Sequence, residues 1–179
     1  GAAHIAAGYA VGIDNPLYTP DDIAFTGTST ASRTEVGTTY MGLAEDQFSN
    51  TNDNFANVKF VVTDGWMKID PLAVTVNIAG NTDTKTYDGE EHEVTGYQVT
   101  GISNPLYTED DFTFAGAAEA ARTNAGTTNM GLTAAQFTNE NDNFTVTFVV
   151  TDGFQKIEKI DAVVTIIGNT VTADYDGTV

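Results

Sequence analysis

The chain has 179 residues, no cysteine and a formal net charge of −18, with 25 acidic residues against seven lysines and arginines. These numbers exclude a disulfide framework and cysteine-ligated zinc. They also argue against nucleic-acid partners and anionic membrane surfaces, because phosphate binding needs clustered cations. No apolar run approaches the roughly 18 residues of a membrane span, so no membrane insertion is expected.

The sequence repeats itself from near its beginning. Residues Gly12–Phe55 return at Gly101–Phe144 with a constant offset of 89, and 27 of these 44 positions are identical. The offset is 88 on both sides of this block, as at Gly8 and Gly96, so loops absorb one residue gained and one lost. Such self-similarity predicts a tandem repeat with a unit of about 88 residues.

A leading segment sets the phase of the repeat. The strand-like stretch 73–78 precedes Tyr87-Asp88-Gly89, and the same order returns at 162–167 and Tyr175-Asp176-Gly177, whereas no counterpart precedes His4. We therefore expect the first copy to lack its leading strands. The last residues of the sequence are expected to be the leading strands of a third copy. These last strands should pair with a sheet edge, either in the adjacent unit or by strand exchange with a neighbouring molecule.

Three segments follow from this phase: a first copy over 1–70, a complete second copy over 71–159, and the beginning of a third over 160–179. Pro71 suits the first junction because proline fixes φ and has no N–H. A different phase, 1–88 and 89–179, would assign each Tyr-Asp-Gly motif to the preceding unit. The sequence alone leaves that alternative open.

Strand signals follow one another through the second copy. Val74, Val76 and Ile78 alternate with polar residues, the period-2 pattern of a half-buried strand. Further strands are predicted at Thr84–Tyr87, Val94–Val99, Phe112–Phe114, Gly126–Met130, Phe144–Thr151 and Phe154–Ile157. Asp88-Gly89 predicts a turn, and Asp152-Gly153 predicts a hairpin between the last two strands. About seven short strands per unit is typical of a small sandwich.

Helix signals are few. Thr133–Gln136 resembles a capping box, and Thr19–Asp22 offers an N-cap with proline at the first helical position, so a single helical turn is expected at each. Ala117–Arg122 looks helical by itself, but its counterpart Thr28–Arg33 does not. We therefore predict strand or loop for both. The 29 threonines against four serines also favour pleated strands.

Several of these motifs occur together in one family. The stretches that carry the likeness are 73–76 (Ala-Val-Thr-Val), Lys85–Gly89, Val94–Gly101, Asn143–Phe148 and Asp152-Gly153. They resemble the YDG/MBG-type repeats of large bacterial surface proteins, with phenylalanine where the family's Asn-Tyr-x-Ile-x-Tyr strand has tyrosine. The resemblance spans the whole chain. It implies an extracellular, cell-surface or secreted setting and a role in adhesin-like stalks, and it supplies no catalytic residue.

Catalytic chemistry finds little support in the residues. The two histidines, His4 and His92, occupy equivalent positions without the partners of a hydrolytic triad or a metal pair, so exposed or edge-strand positions are expected. The many acidic residues offer no distinguishable pair for glycosidase chemistry. We expect no enzyme and no cofactor, and we assign no catalytic, cofactor-binding or metal residue.

Two Asn/Asp-rich loops, Asn50–Asn54 and Asn139–Asn143, form the most suggestive constellation. Their oxygens at alternating positions could contribute to a Ca²⁺ site, but the EF-hand spacing is missing. Side-chain-to-backbone turns explain the same residues without any metal, and this second explanation is favoured. Asp21-Asp22 and Asp110-Asp111 are expected to cap helical turns or to lie in solvent.

Three further equivalent pairs have structural and functional interpretations. Lys68 and Lys156 could form intramolecular Lys–Asn bonds, but strand lysines mostly point to solvent. The only arginines in the chain, at positions 33 and 122, are expected to make ion pairs or to cap carbonyls. Trp66 and Phe154 follow Asp-Gly, where a core or interdomain anchor is favoured over an exposed sugar-stacking platform.

Together these observations predict an all-β chain of tandem small antiparallel β-sandwich repeats, Ig-like or β-grasp-like. The expected function is a non-catalytic stalk or spacer in a bacterial surface or secreted protein. The alternative is an adhesin module that binds a glycan or a host protein through the loops at 15–22 and 104–111.

Overall fold

The computed structural model describes residues 1–177, and this part of the chain is all-β. Within these residues, strands take up 41% and short 3-10 helices take up 7%. The first copy contains β1 His4–Ala7, η1 Pro20–Asp22, β2 Ile23–Phe25, β3 Thr30–Arg33, β4 Gly37–Tyr40, η2 Glu45–Gln47, β5 Phe48–Asn50 and β6 Trp66–Ile69.

The second copy contains more strands. They are β7 Leu72–Gly80, β8 Thr82–Thr86, β9 His92–Thr95, β10 Tyr97–Ile102, β11 Phe112–Phe114, β12 Glu119–Arg122, β13 Gly126–Asn129, β14 Phe137–Asn139, β15 Phe144–Thr151 and β16 Phe154–Glu158. Two 3-10 helices, η3 Glu109–Asp111 and η4 Ala134–Gln136, lie among them. Ten strands replace the predicted seven because Gly96 divides β9 from β10, and because β12 and β14 are two further strands.

Three antiparallel pairs recur in the two copies. In the first copy β1 pairs with β3, β2 with β5 and β4 with β6. In the second copy β9 pairs with β12, β11 with β14 and β13 with β16, at the corresponding positions. The second copy adds β7, which lies between β10 and β15, and β8, which joins β16 in parallel.

The central strand β7 alternates between buried and more exposed residues from Val74 onward. Val74, Val76 and Ile78 are buried, while Thr75 and Asn77 lie on the other face, as the period-2 pattern predicts. Each fully buried Val or Ile stabilises the fold by roughly 1.5–3 kcal/mol. A nine-residue strand with this pattern is therefore a main contributor to the core.

The chain divides into two compact units. The first unit comprises Gly1–Asn77, Val99–Ala115 and Phe137–Val149, and the second comprises Ile78–Gln98, Gly116–Gln136 and the chain from Val150 onward. Aromatic rings fill the first unit, and in the second Ala120, Met130, Leu132 and Ile157 are buried. The segment boundaries near 70/71 and 159/160 stay predictions.

The predicted hairpin at Asp152-Gly153 is wrong. β15 joins β7, whereas β16 joins β13 and β8, so the two strands around the Asp-Gly doublet belong to different sheets. The Asp152 carboxylate instead accepts hydrogen bonds from the N–H groups of Gly131 at 3.1 Å and Leu132 at 2.9 Å. The doublet favours a hairpin only where the flanking strands pair with each other, and here both have other partners.

Most of the other local predictions are confirmed. Single 3-10 turns form at Pro20–Asp22 and Ala134–Gln136, and the stretches ending at Arg33 and Arg122 are strands. The weak strand around Gly96 is divided in two, because Gly96 adopts a φ of +84° that ends β9 before β10 begins.

The predicted pairing of the closing strands does not occur within the chain. Residues 160–177 contain no strand and are exposed, and the last two residues of the predicted segment 160–179 lie outside the described residues. A strand-forming sequence becomes a strand only where a partner offers main-chain hydrogen bonds. Pairing with a neighbouring molecule stays a prediction.

Candidate functional site

The loops at 15–22 and 104–111 each end in a group of hydrogen-bonded residues that we call a corner. It consists of a tyrosine, the threonine after it and an aspartate three residues further on. In the second copy the buried Tyr107 hydroxyl donates to the Asp111 carbonyl at 3.0 Å. The Asp111 carboxylate accepts from the N–H and the hydroxyl of Thr108 at 2.8 and 3.1 Å. The first copy repeats this corner with Tyr18, Thr19 and Asp22, so in both loops the tyrosine serves packing.

The Asn/Asp-rich loops attach to these corners. The Asn52 amide donates to the Asp22 carboxylate at 2.9 Å, and the Asn141 amide donates to Asp111 at 2.7 Å. The Asn50 oxygen accepts the Asn52 N–H at 3.0 Å, a local side-chain-to-backbone turn. No group of three or more acidic or histidine side chains that could hold a metal ion occurs in residues 1–177. The bonds from the Asn52 N–H to Asn50 and from the Asn54 N–H to Asn52 are side-chain-to-backbone turns of the kind that the favoured interpretation expects.

These contacts shift the acidity of the corner residues. The pKa of Asp111 lies below its usual value because the Asn141 amide, and then the Thr108 N–H, donate to the ionised carboxylate. The pKa of Asp22 is lowered in the same way, with the Thr19 N–H as the largest cause. Desolvation raises the pKa of the Tyr107 hydroxyl, which therefore stays protonated at neutral pH. In each corner the ionised aspartate accepts hydrogen bonds and the protonated tyrosine donates one.

Both arginines cap carbonyl groups, as predicted. Arg122 donates from Nε to the Asn124 carbonyl at 2.7 Å, from Nη2 to the Ala125 carbonyl at 3.1 Å and from Nη1 to the Thr128 hydroxyl at 3.2 Å. Arg33 makes the corresponding bonds in the first copy. The guanidinium thus closes the loop that follows its own strand, between β12 and β13 in the second copy and between β3 and β4 in the first. This is a positioning role within the fold.

The remaining candidate residues lie at the surface. His4 is exposed on β1, and His92 on β9 lies 2.9 Å from the Asp88 carboxylate. Lys68 Nζ lies 2.6 Å from Asp70, and Lys156 Nζ lies 2.9 Å from Glu158. Both lysines meet carboxylates of their own strand or its end, and this geometry gives no support to a Lys–Asn bond.

The core position favoured for Trp66 is wrong. Its side chain is 54% exposed, and it lies directly opposite the exposed Tyr40 in the β4–β6 pair. Phe154, its counterpart, is only partly exposed because β16 has a second neighbour, β8, on its other edge. The first copy contains no counterpart of β8, and the edge of β6 beside Trp66 is open.

A concave feature lies in the first copy. It is a groove of about 430 Å³, which we call the first-copy groove. One side is formed by residues 9–14 and the other by residues 58–63, with aromatic rings between them. Tyr9 and Phe48 are 5.2 Å apart between ring centroids, and Phe48 and Phe60 are 5.9 Å apart. The groove is therefore lined in part by aromatic rings and is open to solvent.

Sequence analysis did not single out the residues of this groove. Tyr9, Val11 and Phe60 belong to no catalytic or binding pattern. The signal that could have found them is the phase of the repeat, because these residues correspond to strands flanking β7 and no β7 counterpart precedes them. A missing central strand predicts an uncovered apolar surface between its two neighbours.

Comparisons with known proteins give no further identification. No protein-family model, curated protein or solved structure matches the chain. Within the described residues, no helix is long and apolar enough to cross a bilayer. The resemblance to YDG/MBG-type repeats stays a prediction.

Proposed function

We propose that the chain is a structural repeat module of a bacterial cell-surface or secreted protein, in which tandem β units act as a stalk or spacer. The sandwich architecture, the adhesin-like context and the non-catalytic role are all part of this proposal. They are supported by the resemblance to YDG/MBG-type repeats and by the duplication of about 88 residues. High negative charge would keep neighbouring units of such an array apart.

The single observation that carries the proposal is that the polar residues shared by the two copies hydrogen-bond to the backbone of their own copy. Arg33 and Arg122, Tyr18 and Tyr107, and Asp64 and Asp152 all bond backbone atoms in equivalent ways. Residues kept for catalysis or ligand binding would instead converge on a shared cleft with unpaired polar groups. Their present arrangement closes loops and fixes strands, which suits a load-bearing module.

Single-molecule force spectroscopy tests this role on the full chain held between two handles. We expect a discrete unfolding event for the second copy that releases about 300 Å, since an extended residue spans about 3.4 Å. A Gly153→Ala chain, whose β7 contact is obstructed, is the matched control and should unfold at lower force. Featureless extension of the unmodified chain would contradict the proposal.

A second candidate function is recognition of a glycan or a host protein. The exposed Tyr40–Trp66 pair offers two neighbouring rings of the kind that stack on sugars, and Leu17 and Leu106 project from the two corner loops. Trp66 is the only tryptophan, so its fluorescence reports binding directly. A saturable change on titration with oligosaccharides, abolished by Tyr40→Ala, would favour this function over the stalk alone.

A further inference from the structure

The first-copy groove corresponds to the place that β7 fills in the second copy. There β7 lies between β10 and β15. The counterparts of these two neighbours, residues 9–14 and 58–63, form the two sides of the groove and contain no strand. The second copy thus shows which kind of segment fits: a β-strand with alternate apolar residues that hydrogen-bonds on both edges.

The chain carries such a segment in its exposed tail. At the offset of 88 that aligns Tyr87 with Tyr175, three of the four inward positions of β7 and the two residues after them recur in the tail, as Val164, Ile166, Gly168, Asn169 and Thr170. At the fourth inward position, Ala162 replaces Val74. Val76 is 0% exposed in β7, whereas its counterpart Val164 is 80% exposed. The apolar side chains that are buried in β7 thus have exposed counterparts in the tail. Burying these tail side chains against another surface would be favourable in free energy.

A pair of glycines adds specificity to this match. In the second copy, Gly80 at the end of β7 lies so close to Gly153 that a β-carbon on Gly80 would be 2.4 Å from the Gly153 nitrogen. The tail provides Gly168 in place of Gly80, and the first copy provides Gly65 in place of Gly153. Gly168 and Gly65 could therefore make the same close backbone contact, but a β-carbon built on Gly168 has no neighbour within 4 Å in the chain itself.

The main-chain hydrogen bonds at this end of the strand are also matched. The Asn81 N–H donates to the Gly96 carbonyl at 3.1 Å, and the Phe154 N–H donates to the Asn81 carbonyl at 3.2 Å. Asn169 is the counterpart of Asn81. Its expected partners are the Gly8 carbonyl and the Trp66 N–H. Gly8 has a φ of +86° against +84° at Gly96, so this rim of the groove is already in the conformation that the strand needs.

We propose that residues 162–169 of one molecule fill the first-copy groove of a second molecule of this chain. The donated strand runs antiparallel to residues 9–13 and parallel to 58–62. Along β7, Thr75 bonds Ser103 and Asn81 bonds Gly96, so β10 runs in the opposite direction. On the other side Leu72 bonds Asn143 and Asn81 bonds Phe154, so β15 runs in the same direction. Residues 170–174 then continue beside β6, as β8 does beside β16. This inference concerns the chain's partner and does not depend on a stalk function.

The geometry of this contact determines the kind of assembly. The donating tail and the accepting groove are different surfaces, so the contact is head to tail, and a growing oligomer keeps a free groove at one end and a free tail at the other. Each molecule also carries a net charge of −18, which opposes association until salt screens it. We therefore expect open-ended oligomers whose size rises with both protein concentration and ionic strength.

Sedimentation velocity on the full chain tests the proposal, with Trp66 fluorescence as a second readout. The expected result is a mean mass that increases with concentration, together with a blue shift of Trp66 emission as β6 gains a neighbour. Higher salt should strengthen both changes. A chain that stays monomeric at all concentrations and salt levels would overturn the proposal.

Matched variants of the tail distinguish strand donation from nonspecific association. Val164→Asp places a charge at an inward position, and Gly168→Val obstructs the glycine contact; each should weaken association more than about 100-fold. Val163→Thr is the control, since Val163 corresponds to the outward Thr75 and is 93% exposed. It should assemble like the unmodified chain.

These variants cannot fail through misfolding of the molecule that carries them. Residues 162–169 are exposed, and a β-carbon on Gly168 meets nothing within 4 Å. If Val163→Thr abolished association as strongly as Val164→Asp, the contact would be nonspecific and the proposal wrong. Unchanged assembly of Gly168→Val would place the interface elsewhere and would overturn it equally.

Discussion

The two copies of the repeat have nearly the same residues but different structures around their centres. Val146–Thr151 belongs to strand β15, whereas Val58–Thr63, identical at all but one position, forms no strand. The difference follows from β7, which supplies hydrogen-bond partners in the second copy and has no counterpart in residues 1–70. Strand structure here is a property of the pairing and not of the segment.

Other parts of the two copies are alike despite that difference. The ring centroids of Phe25 and Phe48 are 4.9 Å apart, and those of Phe114 and Phe137 are also 4.9 Å apart. The corner loops and the arginine caps are likewise equivalent. Features that involve neither β7 nor β8 therefore form in both copies, and the differences are confined to the segments beside the counterparts of those two strands.

Hydrogen exchange should show the largest difference between the copies. In the Val164→Asp chain, which we expect to be monomeric, amides of 58–63 should exchange at least about 1000-fold faster than those of 146–151. The first segment lacks the ladder that protects the second. Exchange can be followed by mass spectrometry of overlapping peptides, and equal protection of the two segments would remove the basis of the comparison.

The same glycine substitution should have unequal effects in the two copies. A β-carbon on Gly153 would lie 2.4 Å from the backbone oxygen of Asn81, which cannot move aside. On Gly65 its nearest neighbour would be the Met41 sulfur at 2.7 Å, the end of a flexible side chain. We expect Gly153→Ala to lower the free energy of unfolding by about 3 kcal/mol and Gly65→Ala by less than about 1 kcal/mol.

Urea unfolding in the Val164→Asp background, which we expect to be monomeric, measures the change in unfolding free energy for both glycine substitutions. Equal losses would mean that the β7 backbone does not approach Gly153 as closely as described.

The arginine caps should instead behave alike, because their loops are complete in both copies. Arg122→Ala and Arg33→Ala each leave several loop carbonyls without a donor, and each should cost about 2 kcal/mol of unfolding free energy. Arg122→Lys, which keeps the charge but not the planar set of donors, should recover only part of the loss. Thermal unfolding checks these values; full recovery by lysine would indicate a charge effect instead.

The smallest expected effect is on the dependence of stability on pH. The folded pKa of Asp111 lies below its unfolded value. Its stabilising contribution is therefore complete above about pH 4 and is lost as the pH falls through the folded pKa. Asp111→Asn should lower the unfolding midpoint at pH 7, and this difference from the unmodified chain should shrink toward pH 3.

The neighbouring Asp110 is the matched control for the pH experiment. It is exposed, with no hydrogen bond like those of Asp111 to the Thr108 N–H. Asp110→Asn should leave the midpoint nearly unchanged throughout the range. A pH-independent deficit for Asp111→Asn would show that shape, and not the carboxylate charge, stabilises the corner.

The sequence alone determined the features that depend on short-range contacts. The all-β class, the 3-10 turn at Pro20–Asp22, the alternation in β7 and the carbonyl-capping arginines all follow from residue types and spacings within a few positions. The repeat itself was visible in the residues, and its phase showed that residues 1–70 hold no counterpart of β7. Such contacts form wherever the local sequence allows, whatever the rest of the chain does.

Only the tertiary structure decided which strands pair and which stay without partners. It separated β15 from β16 at Asp152-Gly153, left Trp66 exposed, opened the groove beside Tyr9 and left the tail around Val164 unpaired. Each of these outcomes depends on whether a distant segment supplies the second half of a hydrogen-bonded ladder or covers an apolar face. A single segment's residues specify what it can pair with, and the position of its partner specifies whether it does.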